Sequence, residues 1–189
     1  AEEITTYARG LMNTSRYWVI VASKNHVLRG VQARVAQANH GKAAPLKRMR
    51  VADGVLFYSP KVEFEGNEKL QAFTAIAHVV GEAVYPFDMG GGFIPYRRDV
   101  KYLPCNDLPI QPLIPDLTFI ENKSSWGYLF RYGFFEIPKV DFDLIASQIL
   151  KERVHACTCV SRRDHRRQPR VFVFAGCQFE VEVYQRWRA

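Results

Sequence analysis

The stretch LQAFTAIAHVVGEAVYPF, residues 70–87, alternates along its length and is rich in small and β-branched side chains, so it reads as one long strand, kinked or interrupted near Gly81. The segments on either side read the same way. VLFYSP, entered through an Asp53-Gly54 tight turn, is the strand before it, with residues 61–70 a loop between the two. FIPYRRDVKYLP (93–104) is the strand after it, reached across the flexible connection MGGGF (89–93), where clustered glycine lets backbone come close to something. YWVIVAS (17–23) opens the sheet. Ser23 then caps a helix in KNHVLRGVQARVAQA, where Val27, Leu28, Val31 and Val35 recur at helical spacing despite Gly30.

Ala44-Pro45-Leu46 forbids a helix through it, on the ground that proline lacks an amide donor. Residues 108–117 hold three prolines and form an extended or single-turn connection, followed by the short segment TFIEN. Ser124-Ser125-Trp126-Gly127 and Phe130-Arg131-Tyr132-Gly133 are aromatic-glycine turns. IPKVDFDLIASQILKER (137–153) places Phe142, Ile145, Ile149 and Leu150 on one face with Pro138 near its start, an amphipathic helix. Strands mixed with two helices and no regular βαβ alternation predict an α+β fold with a mostly antiparallel, curled sheet.

At 189 residues, 48% of them hydrophobic, with thirteen Phe and nine Tyr, the chain supports one globular domain with an appendage. Residues 1–15 are set aside as an N-terminal extension or expression remnant, 16–150 form the domain, and 151–189 are a basic C-terminal extension of unknown role. No apolar run reaches the length of a membrane span, and the first residues lack the apolar core of a signal peptide, which predicts a cytoplasmic protein, or a nuclear one in a eukaryote. Of four cysteines, Cys105 stands alone in the main body while Cys157, Cys159 and Cys177 fall near the C-terminus, a spacing that fits a reducing compartment better than a disulfide framework.

The net charge of +7 is segregated. Arg16, Lys24, Arg29, Arg34, Lys42, Lys47, Arg48 and Arg50 lie in a stretch with no Asp or Glu, residues 151–189 carry +5, and the remainder is acidic. A basic run is often only a solvated face, but one this concentrated is also the electrostatic footprint of a polyanion site. Within it QANHGKAAPLKRMRVADGVLFYSPK (37–61) gathers Asn, His, Gly and several cations directly before the apolar strand 55–58.

YWVIVASKNHVLRGV, AQANHGKAAPLKRMRVADGVLFYSPK, QAFTAIAHVV, GGGFIPYRRDVKY and NKSSWGYLFRYGFFEI together resemble the EVE domain, in the branch whose members are little more than that domain. The resemblance covers residues 16–150 and implies a PUA-like fold, a small β-barrel of mostly antiparallel strands flanked by helices and related to YTH domains. It implies a nucleic-acid partner, DNA or RNA, in which a modified base such as 5-methylcytosine is captured in an aromatic-lined pocket. It implies no cofactor and no catalysis. A general RNA-binding module of the PUA type, without modified-base specificity, is the second reading, and an enzyme acting on a nucleobase or small metabolite a third.

On this reading strand VLFYS walls the site and QANHGK crosses its mouth. Asn39 and His40 contact base or sugar, Gly41 allows close approach of the backbone, and Lys42, Lys47 and Arg48 take phosphates. Phe93 and Tyr96 beside Arg97 and Arg98 interleave aromatic and basic groups, suited to stacking and phosphate contact, although Asp99 nearby suits a surface ion pair equally. Asn122, Trp126 and Arg131 match the family's NK, WG and R positions, and Trp126 is a cage wall or the plug of a barrel end. Trp18 and Tyr17 point to opposite faces, so one of them at most enters a pocket. Ser23 and Lys24 are ligand groups or a helix cap with a solvated lysine, and Tyr58 and Ser59 a stacking rim or core edge. His155, Cys157, Cys159, His165 and Cys177 invite a zinc reading, but the spacing is not that of a standard finger and no metal is assigned. His26, His40 and His78 have no nucleophile motif beside them, and the glycine run lacks the phosphate-loop pattern.

Overall fold

A computed structural model describes residues 15–150. Three helices and seven strands follow in the order β1 (Tyr17–Val21), α1 (Lys24–Ala33), β2 (Val35–Ala36), α2 (Ala43–Arg48), β3 (Gly54–Lys61), β4 (Lys69–Pro86), β5 (Tyr96–Leu103), β6 (Leu108–Pro109), β7 (Phe134–Ile137) and α3 (Lys139–Ile149). Short 3-10 segments occupy Asn39–Gly41, Gln111–Leu113 and Lys123–Tyr132. The strands form one sheet in the order β2-β5-β4-β3-β1-β7, with β6 also on β4. β1 and β3 are parallel, in register from Tyr17 with Gly54 to Val21 with Tyr58, and every other pairing is antiparallel. Among the described residues this path ends at β2 and β7 without closing, so the sheet is an open form of the expected barrel.

β4 is long enough to serve two neighbours in turn. Its first half pairs with β3, its second with β5, and the β5 register slips between Val79 and Val84. Gly81 lies in that slip, where a Cβ would stand 2.9 Å from Cβ of Asp99, so the interruption read from the sequence coincides with a bulge only a bare backbone fits.

β1 is buried on both faces, which is why it reads as continuous apolar sequence. Trp18 and Ile20 join Val55, Phe57, Ala75, Ala77 and Val79 in a core covered by Val27 of α1 and by Leu46 and Met49 in and after α2. Tyr17 points the other way, to α3, with its ring 4.5 Å from that of Phe142. Two buried carboxylates fix the connections. Asp53 accepts from the backbone amides of Arg16 (2.9 Å) and Arg50 (2.9 Å) and from the Trp18 indole N–H (2.8 Å). Asp141, in the first turn of α3, accepts from Thr118 N (2.8 Å) and Oγ1 (2.7 Å) and Phe119 N (2.9 Å).

Some boundaries differ from the sequence reading. α1 stops at Ala33 rather than near residue 38, because Arg34 turns left-handed (φ 57°) and the chain then pairs as β2 with β5. Pro45 does not prevent a helix: it is the third residue of α2, within the first turn, where its missing N–H has no intrahelical acceptor to lose. Residues 123–132 wind into 3-10 turns capped by Asn122 rather than forming separate loops. No described helix is long and apolar enough to cross a membrane. The candidate zinc ligands of the tail and the terminal extensions lie outside the described residues.

Candidate functional site

A cleft of about 610 Å³ opens between α1, the segment 37–42, the β4–β5 hairpin and the turn at 131–133. Its floor is aromatic. Phe57 of β3 and Tyr102 of β5 lie with ring centroids 5.2 Å apart, and the Tyr102 hydroxyl donates to Val35 O at 3.0 Å. Burial pushes the Tyr102 phenol well above its usual range, so the floor stays uncharged. Gly30 of α1 leaves room for that hydroxyl, since a Cβ there would meet it at 2.9 Å.

The crossing segment is held in an unusual conformation. Asn39, His40 and Gly41 are all left-handed, at φ 46°, 57° and 80°. Gly41 is required by a close approach: a Cβ there would stand 2.3 Å from Cβ of Pro95 at the base of the hairpin. Across the cleft, Gly133 (φ 73°) leaves the space that the Asn39 side chain fills, with Oδ1 2.3 Å from where a Gly133 Cβ would be. Asn39 is thus seated by one glycine and its segment by another.

At the mouth, Phe64 stands exposed between two imidazoles, 5.8 Å from His26 and 6.4 Å, edge-on, from His40. His26 is pushed below its usual range first by burial, then by Arg29 and His40, and so is held neutral near pH 7. Its Nδ1 lies 3.1 Å from Ser23 Oγ, which donates to Asn25 Oδ1 at 2.6 Å. Phe93 and Tyr132 complete an exposed aromatic rim. Arg29, Lys42, Arg97 and Arg131 supply the charge, and no carboxylate stands among the described lining residues. The arrangement is an uncharged aromatic floor, its two rings tilted 35° to each other, with cations at its edge, suited to a planar ring attached to an anionic chain.

Of the residues singled out in the sequence, Ser23, Asn39, His40, Gly41, Lys42, Phe93, Arg97 and Arg131 line this cleft. The others are placed elsewhere. Trp18 is fully buried, stacked on Phe134 at 4.7 Å with its N–H on Asp53. Arg48 lies over the Trp18 and Phe134 rings at 4.9 and 5.6 Å, and its carbonyl accepts from Arg16 Nη2. Tyr58 packs 4.1 Å from Phe130 inside the core, and Ser59 bonds Thr74 Oγ1 at 2.7 Å. Arg98 is buried and structural, donating to the carbonyls of Leu46 (3.0 Å), Met49 (2.9 Å) and Gly81 (3.0 Å), and so ties α2 to the sheet. Lys24 pairs with Asp107. Asn122 accepts from the amides of Ser124 (3.1 Å) and Ser125 (3.2 Å), and Trp126 meets Phe130 edge-on at 6.0 Å. Lys47 and Tyr96 are exposed outside the lining.

Sequence reasoning did not single out Arg29, Phe64, Tyr102 or Tyr132 for the site, and it took Phe57 only as part of the strand VLFYS that walls it. Phe64 was hidden by its acidic neighbours in KVEFEGNEK, and Phe57 and Tyr102 by their place inside strands. The alternation of β3 carried a usable signal, since Phe57 and Tyr58 must face opposite ways and one of them had to look toward α1.

Residues 16–148 match the EVE domain. The UPF0310 protein msl3206 of Mesorhizobium japonicum is 49% identical over 134 residues, covering 70% of this chain and 90% of the relative. The UPF0310 protein in the gntR 5' region of Bacillus licheniformis is 48% identical over 129 residues, covering 68% and 88%. Among solved structures, the YTH domain of the Zygosaccharomyces rouxii MRB1 protein, in complex with N6-methyladenosine RNA, superposes with a TM-score of 0.51 at 14% identity, over 75% of this chain and 88% of that one. An identity that low speaks for the fold alone.

Proposed function

This chain belongs to the EVE domain family, and from that premise we propose that it is a nucleic-acid reader that captures one modified base in the cleft between α1, the 37–42 segment and the β4–β5 hairpin. Its architecture is the α+β, PUA-like one, with the sheet left open. The observation that carries the proposal is the composition of the cleft: an uncharged floor of Phe57 and Tyr102, an exposed aromatic rim, four cations and no lining carboxylate among the described residues. A base taken out of its stack loses a few kcal/mol, and stacking on protein aromatics returns about 1–3 kcal/mol per base. A buried methyl adds about 0.8 kcal/mol, enough to bias but not to dominate. The left-handed turn at 39–41 brings Asn39, whose side chain is seated against Gly133, and the exposed His40 ring to the cleft, where on this reading they meet the edge of the base. On this reading Arg29, Lys42, Arg97 and Arg131, which line the cleft, take the flanking phosphates.

Binding rather than catalysis is the reading because Ser23 Oγ, the hydroxyl that stands beside a histidine in this cleft, is buried and donates to Asn25 Oδ1; Ser23 occupies the N-cap position of α1, but its side chain makes no capping bond to the helix backbone. That the YTH domain of MRB1 was solved with N6-methyladenosine RNA makes methylated adenine a probe alongside 5-methylcytosine and 5-hydroxymethylcytosine. The test is equilibrium binding of the full chain to matched single-stranded oligonucleotides, DNA and RNA, with and without one such base, at two salt concentrations. A preference of about tenfold or more for one modified strand, kept at high salt, is expected. Equal, salt-sensitive binding to every strand would replace the reader with a general RNA-binding module.

A further inference from the structure

The β4–β5 hairpin, whose Met89 and Phe93 line the cleft, ends in an apolar tip that extends beyond that lining through Phe87 and Ile94. The β-ladder ends at Pro86 with Tyr96, yet hydrogen bonds continue outward: Phe87 N to Pro95 O at 2.9 Å, Met89 N to Phe93 O at 3.0 Å, and Phe93 N to Gly90 O at 3.2 Å. The projection is therefore built, not loose. Phe87, Met89, Phe93 and Ile94 are 45%, 46%, 50% and 55% exposed, four large apolar side chains within eight residues. At the very end Gly90, Gly91 and Gly92 turn at φ 84°, 64° and 81°, and a Cβ on any of them would meet nothing within 4 Å, so the backbone there is free to lie against another surface. Exposure of this kind on a projecting tip calls for an occupant.

The charge around the tip says which. Arg97 stacks on the Phe87 ring at 3.7 Å, and Met89 and Phe93 share the cleft with Lys42, Arg29 and Arg97. The one acid at the tip, Asp88, accepts the Gly90 amide at 2.7 Å. We infer that the tip formed by Met89, Phe93 and Ile94 is a wedge that enters the base stack of a duplex, filling the gap left when the modified base turns into the cleft. This rests on the base-capture reading above and narrows its substrate to a paired strand, a duplex or the stem of a hairpin. An apolar wedge between base steps is the known physical means of holding such a gap open, and cations flanking it secure the two strands.

The test uses the full chain, a duplex carrying a single modified base with 2-aminopurine as its neighbour, and the same modified strand unpaired. For the wild type, 2-aminopurine fluorescence should rise on binding the duplex. The variant I94S, whose residue lies outside the cleft lining, should lose that rise, and its affinity for the duplex should fall about tenfold more than its affinity for the single strand. Equal losses on both would make the tip a mere wall of the cleft and overturn the wedge. A wild type that prefers the modified single strand but leaves 2-aminopurine dark in the duplex would overturn the wedge alone. A wild type with no preference for the modified single strand would overturn base capture, and the wedge with it.

Discussion

Gly41 shows how one residue without a side chain sets the shape of the site it lines. Its positive φ and the 2.3 Å approach of Pro95 leave no place for a methyl group, so Gly41→Ala is expected to shift the 37–42 segment off the hairpin, lowering the melting temperature and the affinity for the modified strand together. Gly133→Ala differs in kind. Its Cβ would displace the Asn39 side chain, so base discrimination should fall more than binding to plain strands, as competition titrations can measure. Asp53→Ala leaves the Trp18 indole N–H and the amides of Arg16 and Arg50 without their acceptor, each at about 1–3 kcal/mol, and a denaturant titration should register one of the larger losses in the molecule. Histidine supplies a pH effect. His26 and His78 are both held below their usual value, His26 by burial, Arg29 and His40, and His78 by burial and Lys101. The folded state therefore binds fewer protons than the unfolded chain. Stability from these groups is complete above about pH 6.5 and falls as pH drops through their folded values, before most carboxylates titrate near pH 4. His26→Gln and His78→Gln should each flatten the dependence of melting temperature on pH between about 5 and 7.

At the scale of elements, what was legible depended on whether burial or close approach decided the matter. β4 with its break at Gly81, the doubly buried β1 and the amphipathic α3 were legible, because period and branching report burial directly. α2 was not: a proline in the sequence speaks against a helix, and only its place in the first turn makes one possible. Part of the cleft was legible through Asn39, His40, Gly41, Lys42 and Phe93, which combine glycine, polar, basic and aromatic signals between the strands, and through Arg97 at the start of β5. Trp18, Tyr58 and Arg98 misled for one shared reason. Large amphipathic side chains suit both a pocket and a core, and the partners that decide between them, Asp53, Phe130 and the carbonyls of Leu46 and Met49, lie far away in the chain. The same logic separates two tryptophans experimentally. Trp18→Phe should be markedly destabilising, while Trp126→Ala, half-buried against Phe130 outside the cleft, should leave discrimination between modified and plain strands intact.

For the whole molecule, the segregation of charge turns position into salt dependence. Arg29, Lys42, Arg97 and Arg131 border the cleft, whereas Arg98 is spent inside the fold. If the cations bordering the cleft take phosphates as proposed, Arg97→Gln should reduce the slope of log affinity against log salt by about one and weaken modified and plain strands alike. The pairing of β1 with β7, Tyr17 against Ile137, has a consequence of another sort. One edge of the sheet joins the two ends of the domain, so during synthesis the first strand must wait for nearly the whole domain to leave the ribosome before it gains its second neighbour. Until then β1, apolar on both faces, has an open edge, and the nascent chain offers a natural contact point for chaperones there.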